Sequence, residues 1–212
     1  MIKKIIFDLD NTLIMWDDKY YDTLDGLFKY YNLEYNDEIK TNFIKAIDSY
    51  EDRYDMFTMD NMKSLLEEYI NIKLPDDFVY KWTLLLENSV PEERDPELIE
   101  ILEYLSKKYE LIVLTNWFTE EQKNRLKNYG ILKYFKEVLG TDKVKNKPNK
   151  EAFIEASKPY EMNECIVVGD SLKKDVECSI EYGMDAILYD YKNEYNGNLK
   201  KVNKLIELKR YL

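Results

Sequence analysis

Three short apolar runs, each ending in a knot of polar residues, constrain the fold of this chain more than any other feature. They are Ile5-Ile6-Phe7, continued by Leu9, then Leu111-Ile112-Val113-Leu114, then Ile166-Val167-Val168. A run that is apolar at every position leaves no face for solvent. As a strand it must be buried on both sides, which is the habit of parallel sheets covered by helices. Ala186-Ile187-Leu188-Tyr189 is a fourth candidate, and a short fifth surrounds Val138-Leu139. The segments between them carry helical signals. Asp95-Pro96 reads as an N-cap with proline at the first helical position, leading into Leu98, Ile101, Leu102 and Leu105. Thr119-Glu120-Glu121-Gln122 reads as a capping box opening a helix that Gly130 closes, and Ser171 precedes a helix that Gly183 ends. Strand and helix in alternation predict an α/β fold, a doubly wound parallel sheet with right-handed crossovers.

The first and second strands are too far apart for one crossover. Four amphipathic patterns fill the gap: Tyr20/Leu24/Leu27/Phe28/Tyr31, Ile39/Phe43/Ile44/Ile47, Met62/Leu65/Leu66/Tyr69 and Phe78/Trp82/Leu85/Leu86. The expected organisation is an α/β core domain from residues 1–15 and 91–212, interrupted by an all-helical domain over 16–90. Between Asp17 and Ser89 lie 17 acidic and 8 basic residues, so most of the chain's net charge of −11 sits on the insert. The insert reads as an acidic surface over an aromatic helical core.

That acidic balance argues against a nucleic-acid or anionic-membrane partner, which needs a basic footprint. The sequence contains no histidine. Ser-His-Asp and Cys-His sites, histidine-ligated zinc and imidazole acid–base chemistry are therefore excluded. Two cysteines, Cys165 and Cys178, lack metal spacing and read as small reduced apolar residues. No apolar stretch approaches the ~18 residues of a membrane span, and Asp8 and Asp10 interrupt the apolar start too early for a signal peptide. A cytoplasmic protein is expected, a monomer or weak homodimer.

Polar residues gather where the strands end. The first strand runs into Asp8-Leu9-Asp10-Asn11-Thr12, the second into Thr115-Asn116, the third into Gly169-Asp170 and on to Asp175. In open α/β sheets the carboxyl edge is where ligands bind. Adjacent strands would bring Asp8, Asp10 and Asp170 together there, and carboxylates ~4 Å apart repel by about 4 kcal/mol at an effective dielectric near 20. Protonation, a cationic side chain or a bound metal relieves such repulsion. With oxygen ligands alone, the metal expected is Mg²⁺. Thr12 is expected to stabilise its own turn by a local bond.

Asp-x-Asp-x-Thr after the first strand, Thr-Asn after the second, Lys147-Pro148, and Gly-Asp-x-x-x-x-Asp after a later strand together resemble the haloacid dehalogenase-like hydrolase superfamily. The resemblance runs from the first strand to about Tyr189, with the insert where that family carries a helical cap. It implies a Rossmann-like core in which Asp8 is nucleophile and metal ligand. Asp10 would be general acid and base, with its backbone carbonyl on the metal. Thr115 and Asn116 would hold the phosphoryl group, Lys147 would neutralise nucleophile and phosphate, and Asp170 would complete the Mg²⁺ site. Asp175 would support the metal or Lys147. Lys145 competes with Lys147 for the lysine role.

A phosphatase acting on a small phosphorylated metabolite is the leading reading. A phosphomutase keeps the same motifs, and a haloacid dehalogenase generally lacks the second carboxylate, since its leaving group needs no proton. A receiver-like signalling domain shares the chemistry but has no helical insert. Trp16, Tyr20 and Trp117 are the candidates for contact with the leaving group, and a neutral, flat or sugar-like leaving group is expected. The cap would hinge near Met15–Asp18 and Ser89–Glu93.

Overall fold

Six strands make one all-parallel sheet, ordered β3-β2-β1-β4-β5-β6. They are β1 (Lys4–Phe7), β2 (Glu110–Leu114), β3 (Glu137–Leu139), β4 (Cys165–Gly169), β5 (Asp185–Tyr189) and β6 (Lys201–Val202). The computed structural model describes residues 1–15 and 19–212, without the side chains of Lys19 and Tyr20. β1 lies at the centre, with Ile5 opposite Leu111 of β2 on one side and Ile166 of β4 on the other. All four of its residues are buried, as is all of β4.

Alternation along the strands feeds two cores. Ile5, Phe7, Leu111, Val113, Ile166 and Val168 face one side, where they meet Leu98, Ile101, Leu102 and Leu105 of α5 (Pro96–Ser106) and Leu126 of α6 (Thr119–Tyr129). Ile6, Ile112, Leu114 and Val167 face the other, against Ala152, Phe153 and Ala156 of α7 (Lys150–Ser157) and Val176. Each such large aliphatic or aromatic side chain contributes roughly 1.5–3 kcal/mol when fully buried. The sheet is thus doubly wound, as expected. The chain steps outward from β1 to β2 and β3 along one face, then returns to β4 along the other. The reversal falls between β1 and β4, where their carboxyl ends open a crevice.

Among the described residues, the stretch between β1 and α5 forms four helices: α1 (Lys19–Tyr30), α2 (Asp37–Arg53), α3 (Met59–Ile70) and α4 (Phe78–Leu86). Their apolar faces make a separate cluster around Phe28, Phe43, Tyr50, Leu65, Phe78 and Trp82. Trp117 and Phe118, from the loop after β2, complete it. Trp117 meets Trp82 edge-on with ring centroids 5.7 Å apart. Local signals start two of these helices, α2 and α3. Asn36 accepts from the Ile39 amide, and Thr58 and Asn61 form a reciprocal capping box.

Two local expectations change. The capping box expected at Thr119 does not form: Thr119 is the first residue inside α6, and its hydroxyl donates to Asp142 Oδ1 at 2.6 Å while accepting from the Gly140 amide. Asp142 also takes the Thr119 amide at 2.7 Å, so a carboxylate from beyond β3 caps this helix. The helix after Ser171 begins as a π-helical turn over Leu172–Glu177 and becomes α8 (Cys178–Glu181), before Gly183 ends it at φ 93°. Ser171 caps that turn through the Lys174 amide. β6, two residues long, has no counterpart among the expected strands.

Candidate active site

At the end of β1 the backbone turns sharply. The amides of Thr12, Leu13 and Ile14 all donate to the Leu9 carbonyl, and Asn11 takes a left-handed conformation at φ 62°, which asparagine tolerates better than most residues. This loop presents Asp8 and Asp10 at the crevice. The local bond expected of Thr12 gives way to a long-range one: its hydroxyl accepts the Asp170 amide at 3.1 Å and so ties the loop after β1 to the loop after β4.

Lys147 is buried and joins two carboxylates, donating to Asp8 Oδ1 at 2.7 Å and to Asp175 Oδ1 at 2.6 Å. Asp175 Oδ2 accepts the Ser171 amide at 3.0 Å. Half-buried Lys145 instead pairs with Glu151 at 3.1 Å. Asn116 does not face the crevice as a free amide. Its Oδ1 accepts the Lys147 amide at 2.7 Å, and its Nδ2 donates to the Lys147 carbonyl at 2.9 Å and to Glu51 Oε2 at 2.8 Å. Asn116 therefore fixes the backbone that carries the lysine. Thr115 is buried at the crevice floor, its hydroxyl accepting from Gln122 Nε2 at 3.2 Å.

Carboxyl oxygens of Asp8, Asp170 and Asp175 lie within 4.8 Å of one another. Burial pushes the Asp8 carboxyl up to about 8, against the pull of Lys147 and with added repulsion from Asp175 and Asp170. Burial, then Asp175, raises Asp170 to about 6. For Lys147 burial acts downward but is outweighed by Asp175 and Asp8, which hold the ammonium charged. Asp8 Oδ2 is buried and accepts no hydrogen bond. An orphaned carboxylate oxygen beside a second acidic group, in an all-oxygen donor set, fits a hard divalent cation. Both Asp175 oxygens already accept bonds from Lys147 and Ser171, which suits it to support rather than to primary ligation.

Asp10 differs from the sequence expectation in what surrounds it. It shares the crevice with Asp8 and Asp170 as expected, but its own oxygens have partners that were not: Oδ1 accepts from Arg125 Nη1 at 2.6 Å and Oδ2 from Gln122 Nε2 at 2.6 Å. Gln122 and Arg125 are fully buried on α6 beside Leu126 and Tyr129. The signal available in the sequence was two long polar residues at i and i+3 on the helix face that Leu126 and Tyr129 give to the core.

The crevice is a cavity of about 370 Å³. Asp8, Asp10, Thr115, Lys147 and Asp170 line its floor; Tyr21, Ile47, Asp48, Tyr50, Glu51, Phe57 and Trp117 line its far side, with Lys174 beside them. Trp117 thus both lines the cavity and packs in the helical cluster. Trp16 and the Tyr20 side chain, also expected here, lie outside the described residues. Asp48, Glu51 and Lys174 were not expected: Asp48 and Glu51 stand at positions with no motif around them, and Lys174 at a variable position of the Gly169–Asp175 motif.

A family model described as haloacid dehalogenase-like hydrolase matches residues 5–189. No curated protein matches the sequence. Among solved structures, the putative HAD-hydrolase YfnB from Bacillus subtilis, crystallised with magnesium, is 21% identical, with 99% of this chain and 98% of that one covered at a TM-score of 0.73. A HAD phosphatase from Thermococcus onnurineus is 22% identical, with 99% and 97% covered at 0.71. An L-2-haloacid dehalogenase from Xanthobacter autotrophicus is 15% identical, with 99% and 98% covered at 0.72. At these identities the three share the fold with this chain.

Proposed function

The chain belongs to the haloacid dehalogenase-like hydrolases, and from that premise we propose that it is a Mg²⁺-dependent phosphatase of small phosphomonoesters, working through an aspartyl phosphate on Asp8. One observation carries the choice over a dehalogenase. Asp10 places a second carboxylate at the cavity, two residues after Asp8 and held at both oxygens. A halide leaves without a proton, whereas an alkoxide leaving from phosphorus needs one.

In this reading Asp8 attacks phosphorus through a carboxylate oxygen while the ester P–O bond breaks and Asp10 protonates the departing oxygen. Asp10 then takes a proton from the water that attacks the aspartyl phosphate, releasing inorganic phosphate and restoring Asp8. Lys147 offsets the charge of the nucleophile, and Thr115 offers a hydroxyl at the floor where phosphoryl charge spreads. Mg²⁺, held by Asp8, Asp170 and the Asp10 carbonyl with Asp175 behind them, would supply charge neutralisation for the phosphoryl oxygens. Residues 16–90 serve as the lid, opening for exchange and excluding water when closed. The carboxylates Asp48 and Glu51 among aromatic rings at the far side favour a leaving group that is neutral and bears hydroxyls, as in a nucleotide or sugar phosphate.

Phosphate release over a panel of phosphorylated metabolites, with Mg²⁺ or with EDTA, tests this with the wild type, Asp8→Asn and Asp10→Asn. Release should require the metal and Asp8. Release that survives EDTA or Asp8→Asn, or halide release from 2-haloacids without any phosphatase activity, would defeat the reading.

A further inference from the structure

Asp10, unlike Asp8, is not held by Lys147. Its two carboxyl oxygens go to two side chains of a single helix, Gln122 and Arg125 of α6, at 2.6 Å each. Those two residues are joined to each other, Arg125 Nη1 donating to Gln122 Oε1 at 2.9 Å. Each is anchored further: Gln122 Nε2 reaches Thr115 Oγ1 at 3.2 Å, and Arg125 Nε reaches the Ser89 carbonyl at 3.2 Å. The carboxylate plane is therefore fixed by donors whose own orientations are fixed.

Packing alone does not account for this arrangement. Arg125 and Gln122 are both at 0% exposure, on the face of α6 that Leu126 and Tyr129 give to the core. Burying a guanidinium is costly, and an apolar residue of similar volume is often at least as stable there. The neighbouring Glu121 is buried as well, with neither carboxyl oxygen accepting a hydrogen bond. Glu121 Oε1 lies 3.8 Å from Arg125 Nε, and of the three only Gln122 and Arg125 meet at Asp10.

We propose that Gln122 and Arg125 are positioning residues for proton transfer to the leaving group: they hold the Asp10 carboxyl so that it faces the departing ester oxygen. The inference rests on the phosphatase reading. In the step concerned, a bond forms between Asp8 and phosphorus, the ester P–O bond breaks, and the proton on Asp10 passes to the departing oxygen. General acid assistance of this kind matters in proportion to the basicity of the leaving oxygen. Losing the aim should therefore harm basic leaving groups and spare those that depart readily as anions.

The experiment follows the first turnover with Mg²⁺, measuring phenol release from phenyl phosphate and from p-nitrophenyl phosphate. These differ strongly in leaving-group basicity and little in size. Arg125→Lys and Gln122→Met should each slow release from phenyl phosphate by about tenfold or more, and from p-nitrophenyl phosphate by less than about threefold. In an Asp10→Asn background, Arg125→Lys should add less than about twofold, since residues acting through one group are not additive. Equal losses on both esters, or full additivity with Asp10→Asn, would overturn the proposal and leave Arg125 a structural pin. Should Arg125→Lys fail to fold, Gln122→Met carries the same test. A wild type that releases neither phenol defeats the phosphatase reading and this inference with it, which separates that failure from the loss of asymmetry alone.

Discussion

Burial raises the Asp8 carboxyl to about 8, Lys147 pulls the other way, and Asp175 and Asp170 add to the rise. This is a stability statement as well as a catalytic one. Below the unfolded carboxylate value of about 3.9, Asp8 is protonated whether the chain is folded or not. From there up to about 8 the folded state holds the proton more tightly, so metal-free protein loses stability as pH rises through that window. Asparagine keeps the shape and an acceptor for Lys147 but carries no charge, and Lys147 retains Asp175 at 2.6 Å. Asp8→Asn should therefore melt higher than wild type in EDTA at about pH 8, by at least about 3 °C, with the gap closing towards about pH 4. Thermal unfolding at both pH values checks it; a gap independent of pH would mean that the Asp8 charge is not the source. The motif residues Asp8, Asp10, Asp170 and Asp175 could be found from sequence because each directly follows an apolar strand or opens the next helix. Their partners were harder to see. Gln122 and Arg125 reach Asp10 across 112 and 115 residues, and the side-chain identity of a buried helix position gives no hint of its distant contact.

Gly169 shows how an element's end shapes the cluster. A Cβ built there would lie 2.4 Å from Asp175 Cγ and Oδ2, so the last residue of β4 leaves the space that the Asp175 carboxylate fills. That carboxylate holds both Lys147 and the Ser171 amide. Gly169→Ala must displace it, since the neighbour is a group fixed at both oxygens. The expected cost is about 1–3 kcal/mol of overpacking, together with a loss of the proposed phosphatase activity beyond what the stability change explains. Urea unfolding alongside the rate of phosphate release measures both; normal activity in a destabilised variant would show that Lys147 does not need Asp175. Element placement was legible where the physics was local. Doubly buried runs gave β1, β2 and β4, and helical periodicity gave α1 to α5. It failed where a distant group decides. Thr119 resembles an N-cap, but Asp142 takes both its hydroxyl and its amide, which moves the cap 23 residues away in sequence. β6 is two residues long and exists only because Leu188 and Tyr189 offer an edge to pair with.

At the scale of the whole molecule, the end of α2 and the turn to α3 rest on the sheet's loops. Glu51 Oε2 takes Lys174 at 2.5 Å and Asn116 at 2.8 Å. Asn146 Nδ2 donates to the Glu51 carbonyl at 2.8 Å, the Asn146 amide to the Asp55 carbonyl at 2.8 Å, and the Phe57 amide to the Thr141 carbonyl at 2.8 Å. These bonds span the far side of the cavity, away from the expected hinges. Opening of the proposed lid would have to break them. The backbone bonds are neutral and exchange for water at little net cost, about 1 kcal/mol or less each. The Glu51–Lys174 pair is part-exposed at 27% and 46%, so it adds no more than about 1 kcal/mol and is weakened by salt. Glu51→Gln keeps an acceptor for Asn116 and removes the charge facing Lys174. It should shift the opening equilibrium by up to about fivefold, raising amide hydrogen exchange across residues 48–57 while leaving that of β1 and β4 unchanged. The wild type should approach the variant's exchange rate as salt is raised to about 1 M, because screening removes the same attraction that the substitution removes. Exchange that is the same in both proteins at low salt would show that the pair does not hold the two parts together, and that closure depends on the apolar seam at Trp117 and Phe57 instead.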